Sequence, residues 1–375
     1  MITSIKIRLE PNNKQNAKLF QSAGTARWAY NWVLGKQEEN HKKGNKFLSD
    51  SILRKELTEL KKTEELKWLN NYSNNITKQA VKDSCNAYIK FFKGLSDKPK
   101  FKSRKKSKPS FYQDSEKIKF TGTHVRIEKI DWIRLSEHNR IPVGTKYSNP
   151  RVSFDGCNWY VSIGIESNEM QVELTDTIIG IDVGIKDLAI CSHKEEPYQN
   201  INKTKKVKKL EKKLRRLQRK VSKKYEKNKE GRSYVKTSNI IKLEKRIRKL
   251  HKKLDNIRTD YRHKVTTEIV KTKPSRIVME NLNIRGMLKN RHLSKAVAQQ
   301  GFYEFKTMLK YKAERISIEF VEADKWYPSS KTCSECGNVK SKLSLSERTF
   351  VCERCGSIID RDKNACINLS RYKVS

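Results

Sequence analysis

Acidic side chains are scarce in this chain, 42 against 83 Lys and Arg, so carboxylates at the edges of apolar runs stand out. Three do so: Asp182 within IIGIDVG, Glu280 closing RIVME, and Asp362 at the start of the last helix-compatible segment. Oxygen ligands of this kind suit hard divalent cations. In a two-metal phosphodiesterase they hold Mg2+ or Mn2+ ions about 3.5–4 Å apart, one activating water and the other stabilising the leaving oxygen. Singly, each residue has a plainer explanation: a turn or cap for a strand-end Asp, an ion pair with a nearby Arg for Glu280. Their joint occurrence in a strongly basic chain points to a nuclease. Asp360, two residues before Asp362, competes for the third role.

Thiolates form the second constellation. Cys333-x-x-Cys336 and Cys352-x-x-Cys355 are separated by fifteen residues, and each pair is followed by a glycine, Gly337 and Gly356, that lets the chain curl around an ion. Tetrahedral Zn2+ fits four sulfurs at this spacing, against the alternatives of buried thiols or a redox pair. A closed four-sulfur site has no open position, so this zinc is expected to be structural. Cys85, Cys157, Cys191 and Cys366 read as small buried side chains.

The elements that must position these groups follow from periodicity. Ile5, Ile7 and Leu9 alternate as a strand, whereas apolar spacings of three and four predict helices over residues 12–43, 50–62 and 75–93. A basic, proline-flanked loop at 99–109 (PKFKSRKKSKP) precedes strand-like runs at 117–120, 124–127, 132–135, 151–154 and 159–165. The lone first strand needs partners, so the helical block is expected to be an insertion into a split β-barrel. TIIGIDVGIKDLAI then opens a second domain, turning at Gly184. Two basic amphipathic helices over 203–264 are expected to fold back as a hairpin around a polar interruption at 222–239, with a strand at 274–280, a helix at 293–315, a strand at 316–321 and a final helix at 361–372. Strands alternating with helices imply an α/β layer.

Composition bounds the partners. Hydrophobic residues at 35%, six Trp among them, are enough for cores in a chain of 375 residues and exclude whole-chain disorder. A net charge of +41 would self-repel without a polyanion, which makes nucleic acid the expected partner. No apolar run has membrane-spanning length and the N-terminus lacks the apolar stretch of a signal peptide, so a soluble protein in a reducing, cytoplasmic compartment is expected. Lys100, Lys102, Arg104, Lys105, Lys106 and Lys108 in the proline-flanked loop suit phosphate contact.

The succession IGIDVGIKDLA, MENLNIRGMLKNRHLSKA, YPSSKTCSECG and DRDKNACINL, with SIKIRLEPN, TARWAYNWVL and AYIKFFKG further upstream, closely resembles the TnpB proteins of insertion sequences. The resemblance implies an RNA-guided DNA endonuclease related to type V CRISPR effectors. It implies a multidomain α+β and α/β fold: a split wedge-like β-barrel (1–10 and 110–170), an inserted helical recognition lobe (11–109), an RNase H-like RuvC nuclease (171–328 and 358–375), and a zinc ribbon (329–357). It makes Asp182, Glu280 and Asp362 the catalytic, magnesium-holding triad, favouring Asp362 over Asp360 as the Asp of D-x-N-A. Cys333, Cys336, Cys352 and Cys355 become the zinc ligands. Cys366 departs from the family's usual Ala. By the same resemblance Asn74, Lys78 and Asp50 take positions that read a short motif flanking the target, alongside loop contacts from Lys102, Arg104 and Lys105; ordinary exposed side chains are the alternative. The implied partners are a guide RNA from the element's end and double-stranded target DNA in a prokaryotic, nucleoid-associated setting, with no membrane and with monomer and dimer both open. A guided DNA-binding regulator without cleavage and an accessory transposase protein are the rival readings. The second lacks the H-x-H that tyrosine-type transposition would need.

Overall fold

The computed structural model describes residues 2–142, 144–166, 172–231, 233–344 and 346–373. Two compact units, Met1–Ser167 and Asn168–Ser375, make up the chain. The expected domain junction at 170/171 lies outside the described residues.

In the first unit, β1 (Ile2–Glu10) is followed by α1 (Asn13–Lys42), α2 (Asp50–Leu60) and α3 (Asn74–Phe92). The chain returns to strand in β2 (Ser110–Tyr112), β3 (Lys119–Phe120), β4 (His124–Ile127), β5 (Asp131–Leu135), β6 (Tyr147–Phe154) and β7 (Trp159–Glu166). These strands form one seven-stranded sheet in the order β2-β6-β7-β1-β5-β4-β3. Alternation along β1 buries Ile7 and Leu9, and pairing sets Leu9 opposite both Trp159 of β7 and Leu135 of β5. The three helices therefore leave and rejoin a single sheet. Asn12 starts α1 with a capping box closed by Gln15. The indole of buried Trp159 donates to Asn16 Oδ1 at 2.9 Å, tying α1 to the sheet. β2 and β3 end the sheet, and no pairing joins them among the described residues.

The second unit opens with β8 (Thr175–Asp182), β9 (Asp187–Cys191), β10 (Tyr198–Gln199) and α4 (Lys205–Lys227). The short β11 (Lys229–Glu230) and β12 (Ser233–Tyr234) lead into α5 (Ser238–Lys271) and β13 (Pro274–Glu280). Next come α6 (Ile284–Lys289), α7 (Ser294–Gln300), α8 (Phe302–Glu314), β14 (Glu319–Ala323), β15 (Thr349–Val351), β16 (Ile358–Asp360) and α9 (Arg361–Ser370). A five-stranded sheet runs β10-β9-β8-β13-β14, with β8, β13 and β14 mutually parallel and joined through helices. Side chains alternate between its faces. Ile277 and Met279 meet Val265, Ile269, Phe302, Phe305 and Leu309 of α5 and α8, while Val278 faces the other way onto Leu369 of α9.

Three expectations need correction. The helix anticipated over 293–315 is two helices, because Gly301 between α7 and α8 has φ +67° and the guanidinium of buried Arg262 lies where a side chain at 301 would begin. The helical hairpin is longer than expected: α4 runs through Ser222, whose hydroxyl donates to Gln218 O at 3.1 Å, and α5 continues past 264 to Lys271. The last parallel strand spans Glu319–Ala323 instead of starting at 316, since Ser317 turns with φ +62° after α8. The seam joining α4 to α5 uses Val207, Leu210, Leu214, Ile247, Leu250 and Leu254. No helix among the described residues is long and apolar enough to cross a membrane.

Candidate active site

Parallel pairing of β8 and β13 sets Val278 beside Gly180 and Met279 beside Ile181. One step further along both strands, Glu280 reaches Asp182. Because side chains repeat every second residue, Asp182 shares a face with Gly180 and Glu280 shares one with Val278, which is the face covered by α9. The backbone of α9 packs so closely on β8 that a Cβ at Gly180 would lie 2.0 Å from Cys366 O and 2.4 Å from Ser370 N. Only glycine lets the helix sit here. The first turn of that helix carries Asp362.

The electrostatics follow from this convergence. Burial drives the Asp182 carboxyl well above the usual carboxylate range, and the charges of Glu280 and Asp362 push it in the same direction while Arg361 opposes them. Glu280 is raised as well, chiefly by burial, and shares a hydrogen bond with Asp182. Two crowded carboxyls whose ionised forms are disfavoured are a place where a divalent cation would relieve the repulsion. Asp362 is held differently. Arg361 Nη2 and Nε donate to its Oδ1 at 2.8 and 2.9 Å, and Arg348 Nη1 lies 3.5 Å from Oδ2. Asp360 is spent on the helix: its Oδ1 accepts from the N–H groups of Asp362 and Lys363, both at 3.0 Å, as the N-cap of α9. Lys363 anchors the same turn by donating to the carbonyls of Lys194, Ser192 and Cys191 at 2.8, 3.3 and 3.4 Å. Arg348, Arg361, Lys363 and Gly180 escape sequence reasoning, because one cation among 83 Lys and Arg carries no signal. The Arg flanked by two Asp in DRD, and the Gly two residues before Asp182, are the marks that could have singled out two of them.

The carboxylate trio is more open than the thiolate set. Among the described residues, only Cys333, Cys336, Cys352 and Cys355 bring three or more candidate ligand atoms all within 4.8 Å of one another. Their Sγ atoms approach to 3.7 Å for Cys333 and Cys355 and 3.5 Å for Cys336 and Cys352. Tetrahedral zinc with Zn–S of 2.3 Å requires sulfur separations of about 3.8 Å, so the donor set fits that ion. The two knuckles repeat one geometry: Gly337 and Gly356, with φ of +74° and +72°, donate back to the carbonyls of Cys333 and Cys352 at 2.9 and 3.0 Å. The N–H groups of Cys355 and Arg354 point at Cys352 Sγ and pull its thiol down to about 6, favouring the thiolate that binds metal.

The first unit holds the other anticipated contacts. Asn74 and Lys78 are exposed one turn apart on α3, and Asn74 Oδ1 accepts from the buried Lys61 ammonium at 2.6 Å. Asp50 is not brought to them. It begins α2 in an ion pair with Arg54 at 3.1 Å, about 15 Å along the helix from the end where Lys61 meets Asn74. In the basic loop, Asn31 clasps the backbone of Lys102 through bonds of 2.8 and 2.9 Å, and the Lys102 ammonium lies 3.4 Å from the centroid of Tyr30. Arg104 and Lys105 at the tip are exposed.

Fold and site together define a mixed α/β protein with paired carboxylates at the carboxyl edge of a parallel sheet and a four-thiolate cluster in the segment leading to α9. Residues 162–291 match the family OrfB_IS605, described as a probable transposase. Residues 302–369 match the Cas12f1-like TNB domain, and residues 1–46, here β1 and α1, match a helix-turn-helix domain of the same OrfB_IS605 group. A Streptomyces pristinaespiralis protein named as an inferred RNA-guided DNA endonuclease is 31% identical, over 98% of this chain and 88% of its own. An Escherichia coli K12 protein with a name of the same kind is 30% identical, over 98% and 91%. The chain belongs to the TnpB/IS605 family. Its fold is similar to that of Cas12f1 in a complex with guide RNA and target DNA, with a TM-score of 0.55 and 14% identity over 99% of this chain and 98% of the other.

Proposed function

We propose that this chain is an RNA-guided DNA endonuclease whose divalent cations are held by Asp182, Glu280 and Asp362. The observation that carries the reading is the β8–β13 register, which sets Asp182 and Glu280 side by side on the face covered by α9, with Asp362 in that helix's first turn. The names of the two relatives supply the guide and the DNA target.

Mg2+ or Mn2+ bound there would supply the activation of water and the stabilisation of the departing oxygen. The protein's own part is positional and electrostatic. Asp182 and Glu280 would hold the cations in their ionised forms, which burial and mutual repulsion disfavour while no cation is bound. Asp362 would complete the ligand set, and Arg361 and Arg348, whose guanidiniums lie beside its carboxylate, would supply positive charge next to the scissile phosphate. The four cysteines hold zinc as a closed, structural site. Guide RNA selects the target by base pairing, and the protein reads a short flanking motif and the backbone. In this reading residues 1–10 and 110–170 curl as a wedge-like barrel, and 11–109 form the recognition lobe with Asn74 and Lys78 at the flanking motif. Residues 171–328 and 358–375 are the nuclease, and 329–357 the zinc ribbon.

The test is purification with copurifying RNA, sequencing of that RNA, and cleavage of a plasmid bearing the matching target in Mg2+. Wild type should cut, and Asp182→Ala should bind RNA and DNA without cutting. Cleavage by Asp182→Ala overturns the acidic site. Guided binding by wild type without any cleavage makes the protein a regulator instead.

A further inference from the structure

We infer that Trp326 is a stacking platform for an unpaired nucleobase of the strand being cut, an inference that rests on the nuclease reading above. β14 lies parallel to β13 with Ala323 paired to Glu280, so Trp326 follows three residues after the position beside a site carboxylate. Strand spacing and chain reach put its Cα within about 16 Å of that of Glu280, a distance of two or three nucleotides.

A singly exposed apolar side chain is ordinary on a protein surface. What distinguishes Trp326 is that the residue is 80% exposed while hydrogen bonds hold the backbone and side chains on either side of it. The backbone N–H of Trp326 donates to Asp324 Oδ1 at 2.7 Å, and the backbone N–H of Asp324 donates to the Tyr372 hydroxyl at 3.2 Å. The next residue, Tyr327, packs edge-on against Tyr372 with centroids 4.9 Å apart, and its hydroxyl donates to Asn368 O of α9 at 3.0 Å. The backbone is held on both sides with the ring left outward. Lys325 Nζ stands 4.8 Å from the ring centroid on one face. A base stacked on the opposite face would have a cation at hand for its phosphate, the combination of aromatic face and positive charge by which single-stranded nucleic acid is gripped without regard to sequence. When a guide RNA pairs with one target strand the other is displaced and unpaired, so in the reading proposed above a base is free to take the place.

The experiment uses the guide-loaded protein carrying Asp182→Asn, so that bound DNA stays uncut, and target strands with 2-aminopurine placed at successive positions around the cut. One or two adjacent positions should be quenched. Adding Trp326→Leu should remove that quenching, and Trp326→Phe should keep most of it. In the cleaving protein, Trp326→Leu should weaken single-stranded DNA binding about 5- to 100-fold, seen in KM more than in kcat. Equal quenching in all three proteins overturns the proposal. So does a shift of Trp326→Leu from dimer to monomer in sedimentation with quenching unchanged, which would make the ring a contact between two copies of the chain. Failure of the acidic site appears elsewhere, as cleavage by Asp182→Ala, and leaves the quenching pattern to be read by itself.

Discussion

A carboxylate that folds into a crowded site with its proton retained makes the protein less stable whenever that proton is lost. Burial and the neighbouring charges raise Asp182 above its ordinary value, so the folded chain binds more protons than the unfolded one once pH exceeds about 4. Stability from this group is fully present below the unfolded value and disappears as pH climbs through the raised one. Asp182→Asn, which cannot ionise, should therefore melt at the same temperature as wild type near pH 4 and at a higher one at pH 8 without divalent ions. Adding Mg2+ at pH 8 should raise the melting temperature of wild type and leave that of the variant where it is. Equal melting curves for the two proteins at pH 8 would mean that the carboxyls do not crowd one another. The trio was legible in sequence because acids are rare here and these three close or open apolar runs. The arginines that hold Asp362 were not, since Arg348 comes from the segment between the knuckles and only folding brings it to α9.

Elements meet the site through contacts that leave little slack. α9 touches β8 at Gly180 so tightly that one methyl group must displace backbone. Gly180→Ala should cost about 1–3 kcal/mol in overpacking and, by shifting the first turn of α9, about 100-fold in cleavage rate; thermal unfolding and single-turnover cleavage measure the two separately. Along the same helix, Asn364 donates to Thr332 O and accepts from Ser334 N at 2.7 and 2.9 Å, straddling Cys333, while Asn368 donates to Thr332 O and Ser329 O at 2.6 and 2.8 Å. The knuckles enclose few apolar side chains, chiefly Phe350, Leu343 and Ile359, too small a core to hold shape by itself. If the four thiolates hold zinc as proposed, a chelator that removes it should open residues 329–360 to protease and reduce cleavage even in saturating Mg2+. Periodicity foresaw α1, α3, β8 and β13 because their apolar patterns are hard to misread. It missed the break at Gly301, since Ala298, Phe302, Phe305 and Leu309 keep spacings of three and four straight through it. The Gly that ends α7 was the available sign.

At the scale of the molecule, charge outweighs shape: +41 over 375 residues cannot be neutralised internally by the ion pairs the chain makes. Several, such as Lys62–Glu59 and Lys264–Asp260, are exposed pairs, each worth little in water. The surplus awaits a polyanion, and composition alone made that legible, whereas which cations are committed within the fold was not. Lys102 illustrates the difference. Its ammonium rests on Tyr30 and is held below the ordinary lysine value by burial, although Asp83 counteracts this. Arg104 and Lys105, two and three residues on, stand exposed at the tip of the same loop. Each phosphate neutralised contributes a slope of about 0.7–0.9 to the fall of log affinity with log salt. Replacing Arg104 and Lys105 together by Gln should lower the salt slope of nucleic-acid binding by roughly 1–2 and weaken matched and mismatched targets alike, because flexible point charges carry no base-reading geometry. Lys102→Gln should move the slope less than either tip residue does alone and should instead lower the melting temperature, since it removes a cation from an aromatic face within the fold. Filter binding across a salt series with the guide-loaded protein measures all three variants. An unchanged slope for the double variant would release the loop from any phosphate contact and leave the basic helices α4 and α5 to carry it.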